Sequence, residues 1–153
     1  MSMWCIGAAT AAGFLLIAAT PARGEDMVQL DPFAQATRGY PGCPERAPPL
    51  LTPQQARVEA HVRVERGLRC AEEGKCEPGG SYRRDPELNE RMRALVAGEP
   101  RFADASVWLI TSRRWVTLQG CVRSAAQRKA LVELVAKQQG VQRVFDELVV
   151  GRR

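Results

Sequence analysis

The sequence predicts an α+β module over residues 85–150. Its order is helix, strand, strand, helix, strand, with a small three-stranded sheet covered on one face by two helices and preceded by a disulfide-tethered extension. Three observations carry this. Leu88, Met92, Leu95 and Val96 recur at i, i+4, i+7 and i+8, which makes one apolar helical stripe. Residues 107–111 and 115–122 are rich in β-branched and aromatic side chains and flank Ser112-Arg113-Arg114, the pattern of a hairpin. A second stretch carries Leu131, Leu134 and Val135 on one face, Gly140 ends it, and residues 141–150 read as the last strand.

The element boundaries have local causes. Asp85 is placed to cap the first helix and Pro86 fits its first turn, while Gly98 and Pro100 stop it. Ser124 with Gln127 forms a capping box for the second helix. Upstream, residues 25–51 are rich in Pro, Gly and polar residues and read as an extended linker or arm, in which Tyr40-Pro-Gly-Cys43-Pro followed by Pro48-Pro49 cannot sustain a helix or a central strand. Thr52, Pro53 and Gln55 open a helix over about 53–66, closed by Gly67. The alternation of Ala56, Val58, Ala60, Val62 and Val64 is also compatible with a strand. Gly79-Gly80 then reads as a flexible joint.

The organisation is therefore a signal peptide over residues 1–24, an arm with one helix and a cysteine loop over 25–84, the α+β module over 85–150 and a basic tail over 151–153. The signal is an apolar run from Ile6 to Ala19, followed by Pro21 and the small residues Ala22 and Gly24. No Lys or Arg precedes the run, so an uncleaved anchor is the alternative to cleavage after Ala22 or Gly24. Either way the expected location is periplasmic or secreted.

Cleavage leaves Cys43, Cys70, Cys76 and Cys121, an even number that points to disulfides in an oxidising compartment. A zinc site fits poorly, because five residues separate Cys70 from Cys76 and the single histidine, His61, lies nine positions upstream of Cys70. A local Cys70–Cys76 bridge leaves Cys43 to pair with Cys121, tying the arm to the sheet.

Strand alternation sends Val107, Leu109, Val116, Leu118 and Val122 toward the helices. Trp108, Ile110, Trp115, Thr117 and Cys121, with Phe145, fall on the other face, an apolar surface that calls for a cover. Three covers are open: the arm, a membrane interface, or another protein such as a second copy.

The formal net charge of +5 is concentrated in the C-terminal part of the chain, module and tail together, where residues 86–153 hold 12 Lys or Arg against 7 Asp or Glu. Outside the cytoplasm such a field points to anionic lipid or other envelope polyanions rather than nucleic acid. Chemistry is sparsely represented. His61 has no nucleophile partner by motif, Gly79-Gly80 is followed by Ser-Tyr-Arg-Arg rather than a phosphate-binding Gly-Lys-Ser, and Glu72-Glu73 and Glu87/Glu90 fit a solvated surface. The expectation is a non-enzyme with no catalytic residues, no cofactor and no metal.

Two phrases narrow the fold further. Val116-x-Leu118-x-Gly120-x-Val122 and Gly140-Val141-x-x-Val144-x-x-x-Leu148 resemble the BON domain, a family named for bacterial osmotic-shock and nodulation proteins, over residues 85–150. The resemblance implies phospholipid binding and envelope maintenance, and it supplies no catalytic residues. Arg113-Arg114 stands where the family commonly has Asn-Gly, which predicts a different turn, and Asp146 stands where Asn is common. The residues expected to meet anionic phospholipid are Trp108, Arg113, Arg114 and Trp115. The alternative is a protein-interaction or structural module using the same open face.

Overall fold

The computed structural model describes residues 26–151, so the expected signal peptide lies outside the described residues. The elements are β1 (Phe33–Arg38), α1 (Pro53–Glu72), α2 (Asp85–Ala97), a short 3-10 turn (Pro100–Phe102), β2 (Ser106–Ser112), β3 (Trp115–Val122), α3 (Ala125–Ala136) and β4 (Arg143–Val150). The sheet order is β1-β2-β3-β4. β1 and β3 lie antiparallel to β2, and β4 lies parallel to β3 after the α3 crossover.

The helix-strand-strand-helix-strand order is present, but among the described residues the sheet has four strands rather than three. The additional strand comes from the arm. Residues 33–38 contain no proline, so every residue of this stretch retains an N–H for a ladder, and an edge position tolerates the prolines around it. The arm thus extends the sheet beside β2 instead of lying wholly across its open face.

Both helical stripes meet the sheet as their periodicity requires. Leu88, Met92 and Val96 of α2 and Leu131 and Val135 of α3 pack with Val107, Leu109, Val116, Leu118, Val122 and Leu148 in one core, which Phe102 helps to close. Within it, the Thr111 hydroxyl donates to Asn89 Oδ1 at 2.9 Å, so a polar pair between α2 and β2 is satisfied internally. Ser124 caps α3 by accepting from the Gln127 N–H at 3.1 Å, and the Gln127 side chain accepts from the Arg123 N–H.

Residues 53–72 form a helix, capped by the full Thr52–Gln55 box. The expected stop at Gly67 is corrected: α1 continues to Glu72, and Gly67 is buried against the turn at Gly80. A Cβ at Gly67 would stand 3.2 Å from Gly80 Cα, so the missing side chain permits a close approach instead of ending the helix. Arg63 fastens α1 to the arm through two bonds to the Asp31 carboxylate at 2.8 and 3.1 Å, and its guanidinium stacks 4.6 Å from the centre of the Tyr82 ring.

Among the described residues two disulfides are formed, Cys43–Cys121 and Cys70–Cys76, with Cα separations of 5.8 and 5.5 Å. The second sits at the end of α1. The first joins the segment after β1 to the open face of β3. Among the described residues no helix is long and apolar enough to cross a membrane.

Candidate functional site

The β2–β3 turn is built from two arginines in the left-handed region, Arg113 at φ 54° and Arg114 at φ 65°, between the paired residues Ser112 and Trp115. Two consecutive positive φ values in a two-residue loop define the type I′ hairpin that Asn-Gly ordinarily provides. The expectation of a different turn is therefore corrected. The geometry is retained and two side chains bear its steric cost.

Asp85 holds that geometry in place. Its carboxylate accepts from the Arg113 and Arg114 backbone N–H groups at 2.7 and 2.8 Å, and the residue is only 2% exposed. This corrects the expected cap: the N-cap of α2 is Arg84, which makes no side-chain cap bond, and Asp85, the first helical residue, serves the hairpin instead. Burial pushes the Asp85 carboxyl above its ordinary range and Asp31 adds to the rise. The two N–H bonds and Arg63 oppose it.

The turn presents Arg113 to the open face. Its guanidinium lies 4.0 Å from the centre of the Trp115 ring, and Trp115 meets Phe145 edge to face with centroids 5.6 Å apart. Arg143 approaches the same pair at 5.8 Å from Trp115 and 5.5 Å from Phe145. Parallel pairing creates the cluster by setting Trp115 against Arg143 and Thr117 against Phe145. Phe145 is 38% exposed and Val149, farther along the same face, is 53% exposed. The result is an apolar, cation-rimmed surface at one end of the sheet.

The four expected contact residues do not all come together there. Arg113 and Trp115 do. Trp108 is only 3% exposed and is removed from the surface, because Gln35 of the added strand and Gln119 flank it across the sheet and the Cys43–Cys121 bridge sits at that end. Arg114 turns away: its Nε donates to the Gly140 carbonyl at 2.9 Å while Arg91 bonds the Gln139 carbonyl. With Arg84 and Glu77 these arginines line a separate cleft of about 320 Å³. Arg143 was missed, since its place beside Trp115 depends on the β3–β4 register, which strand alternation does not supply.

Gly120 explains one of the two sequence phrases. Its φ is +124°, and a Cβ there would collide with the Ser106 carbonyl oxygen and stand 3.1 Å from the Trp108 ring. Asp146 explains a departure within the other: one carboxylate oxygen accepts from the Leu148 N–H at 3.1 Å and the other from Arg128 at 2.7 Å. An acceptor at this position satisfies the backbone locally and ties β4 to α3.

Among the described residues no three His, Cys, Asp or Glu side chains are arranged to hold a metal ion. His61 lies exposed on α1, 3.9 Å from Glu65. Comparison with known families matches residues 84–152 to the BON domain. No curated protein matches the chain.

Proposed function

We propose that this chain, whose residues 84–152 are a BON domain, is an exported binding module of the cell envelope that contacts anionic phospholipid surfaces and supports envelope integrity. The family is one of non-catalytic binding modules associated with phospholipid, and no cofactor enters this reading. The observation that carries it is the stacking of Arg113 and Arg143 on Trp115 and Phe145 at the exposed end of the sheet. Indole and phenyl rings favour headgroup depth, where adjoining guanidinium groups meet lipid phosphates. A periplasmic or secreted location accords with the expected signal peptide and the two disulfides.

Co-sedimentation with phosphatidylglycerol-containing and pure phosphatidylcholine vesicles tests the proposal. The wild-type chain is expected to prefer the anionic vesicles at low salt and to lose that preference as salt rises. Replacing Arg113 and Arg143 by Ala removes about 2 kcal/mol of attraction, roughly a 30-fold loss of affinity. Equal binding of the two proteins would exclude this surface. Equal binding to both vesicle types would instead favour the protein-interaction alternative.

The turn allows binding and stability to be separated. Arg113→Asn places a residue tolerant of positive φ in the type I′ loop, so thermal or denaturant unfolding should show a stabilisation of about 1 kcal/mol. The same variant should bind anionic vesicles less well. A stability gain accompanied by undiminished binding would disconnect Arg113 from the lipid surface.

A further inference from the structure

We infer that the outer edge of β4 pairs with the same edge of a second copy of this chain, antiparallel about a two-fold axis at Phe145. Among the described residues β4 is the last strand on its side of the sheet, and it is exposed along most of its length. An edge of eight residues is a template for another strand. Its outward backbone groups follow from its own hydrogen bonds. The Gly151 N–H donates inward to the Val122 carbonyl, whereas the Leu148 N–H takes the Asp146 carboxylate. Within β4, odd-numbered residues therefore bond toward β3 and even-numbered residues turn N–H and C=O outward, whereas Gln142, just before the strand, donates to the Arg114 carbonyl.

The side chains select the register. Arg143, Phe145, Glu147 and Val149 share the open face, because their partners on β3 are Trp115, Thr117, Gln119 and Cys121. If the two copies present their open faces on the same side, odd residues must face odd residues. Centring the axis on Glu147 sets two Glu147 side chains against each other, and centring it on Asp146 aligns two Asp146 and puts Phe145 opposite Glu147. Centring on Val144 leaves Arg143 opposite Phe145 and Glu147 opposite Val141.

Centring on Phe145 puts Arg143 opposite the second copy's Glu147 twice and brings the two Phe145 rings together. Among the described residues Arg143 has aromatic neighbours but no carboxylate partner, and Glu147 has only the amide of Gln119. This register also sets the outward-facing backbone of Val144 against that of Asp146. The Asp146 bond to the Leu148 N–H closes the ladder beyond them.

The axis stands perpendicular to the sheet, so both Trp115 clusters lie on one side of an eight-stranded sheet. That consequence rests on the proposed lipid contact. The pairing does not, and it is tested without lipid. Sedimentation velocity of the full chain across a concentration series should show a reversible dimer. Arg143→Glu and Glu147→Arg should each weaken it about tenfold or more by placing like charges opposite one another, and the double reversal R143E/E147R should restore it.

A cross-link reads the axis directly. In the full chain with Cys5, the one cysteine of the expected signal peptide, replaced by Ser, Phe145→Cys places two thiols across the axis with Cα atoms about 4.5 Å apart, within disulfide range, and a covalent dimer is expected. Glu147→Cys should form none. A monomeric wild-type chain, a dimer indifferent to both single reversals, a double reversal that stays monomeric, or cross-linking at position 147 in place of 145 would overturn the proposal.

Discussion

Replacing Cys43 and Cys121 together by Ala is expected to lower the stability of the oxidised protein by about 4 kcal/mol, the effect of releasing a long loop in the unfolded chain. The bridge spans 78 residues, whereas Cys70–Cys76 spans 6. The short loop restricts the unfolded chain less, so C70A/C76A should cost about 2 kcal/mol. Urea unfolding under non-reducing conditions compares the two. A loss from C43A/C121A no larger than that from C70A/C76A would deny the long bridge its role.

The long bridge also has a local consequence. Cys121 lies on the open face with Trp108, and the chain crosses from β1 to Cys43 through Gly39 and Tyr40, whose backbone bonds to Ala105 and the Ser106 hydroxyl. Without the bridge this crossing has fewer ties and Trp108 should become more accessible. Iodide quenching of tryptophan fluorescence should increase in C43A/C121A but not in C70A/C76A. The additional exposed tryptophan would strengthen vesicle binding if the arm competes with lipid for this face.

The fold was legible where one local pattern determined one element. The stripe through Leu88, Met92 and Val96 required a buried helix face, and the alternation of Val116, Leu118 and Val122 assigned one side of β3 to the core. β1 was obscured because an edge strand needs little sequence bias of its own: FAQATR is half-buried and its ladder is supplied by β2. Gly67 looked like a helix stop because a glycine's backbone freedom and its small volume leave the same letter in a sequence. The structure uses the volume.

The site divided along the same line. Arg113 and Trp115 are neighbours on the hairpin, and their proximity follows from two residues of separation. Trp108 shares that face, but its burial depends on the arm. Arg143 reaches Trp115 only through the parallel β3–β4 register, 28 residues away in the chain. Asp85 was misassigned for a physical reason: a carboxylate before a helix satisfies free N–H groups, and those of the hairpin turn lay within reach as readily as those of α2.

Asp85→Ala is expected to destabilise the protein by about 3 kcal/mol, since it strips both turn N–H groups of a charge-assisted acceptor while the left-handed strain at Arg113 and Arg114 persists. Asp85→Asn should cost less, because its carbonyl oxygen can keep one N–H and its amide nitrogen opposes the other. Adding Arg113→Asn and Arg114→Gly to D85A should recover part of the loss by removing the strain. Independent, purely additive effects would dissociate Asp85 from the turn. The pH dependence has a determined sign. Burial raises the Asp85 carboxyl despite the opposing N–H bonds, so the folded state keeps its proton to higher pH than the unfolded state does. The protonation-linked part of its contribution is full below the unfolded value of about 4 and is lost as pH rises through the folded value, while the two N–H bonds to the carboxylate remain. Exposed Glu73 and Glu90 and half-buried Glu99, whose carboxyls are lowered by Lys75, Arg93 and Arg101, slope the opposite way but do so in both proteins. The difference between wild type and D85N therefore isolates Asp85: the wild-type advantage should shrink as pH rises above about 4. An advantage that grew over that range would mean that the two N–H bonds outweigh burial.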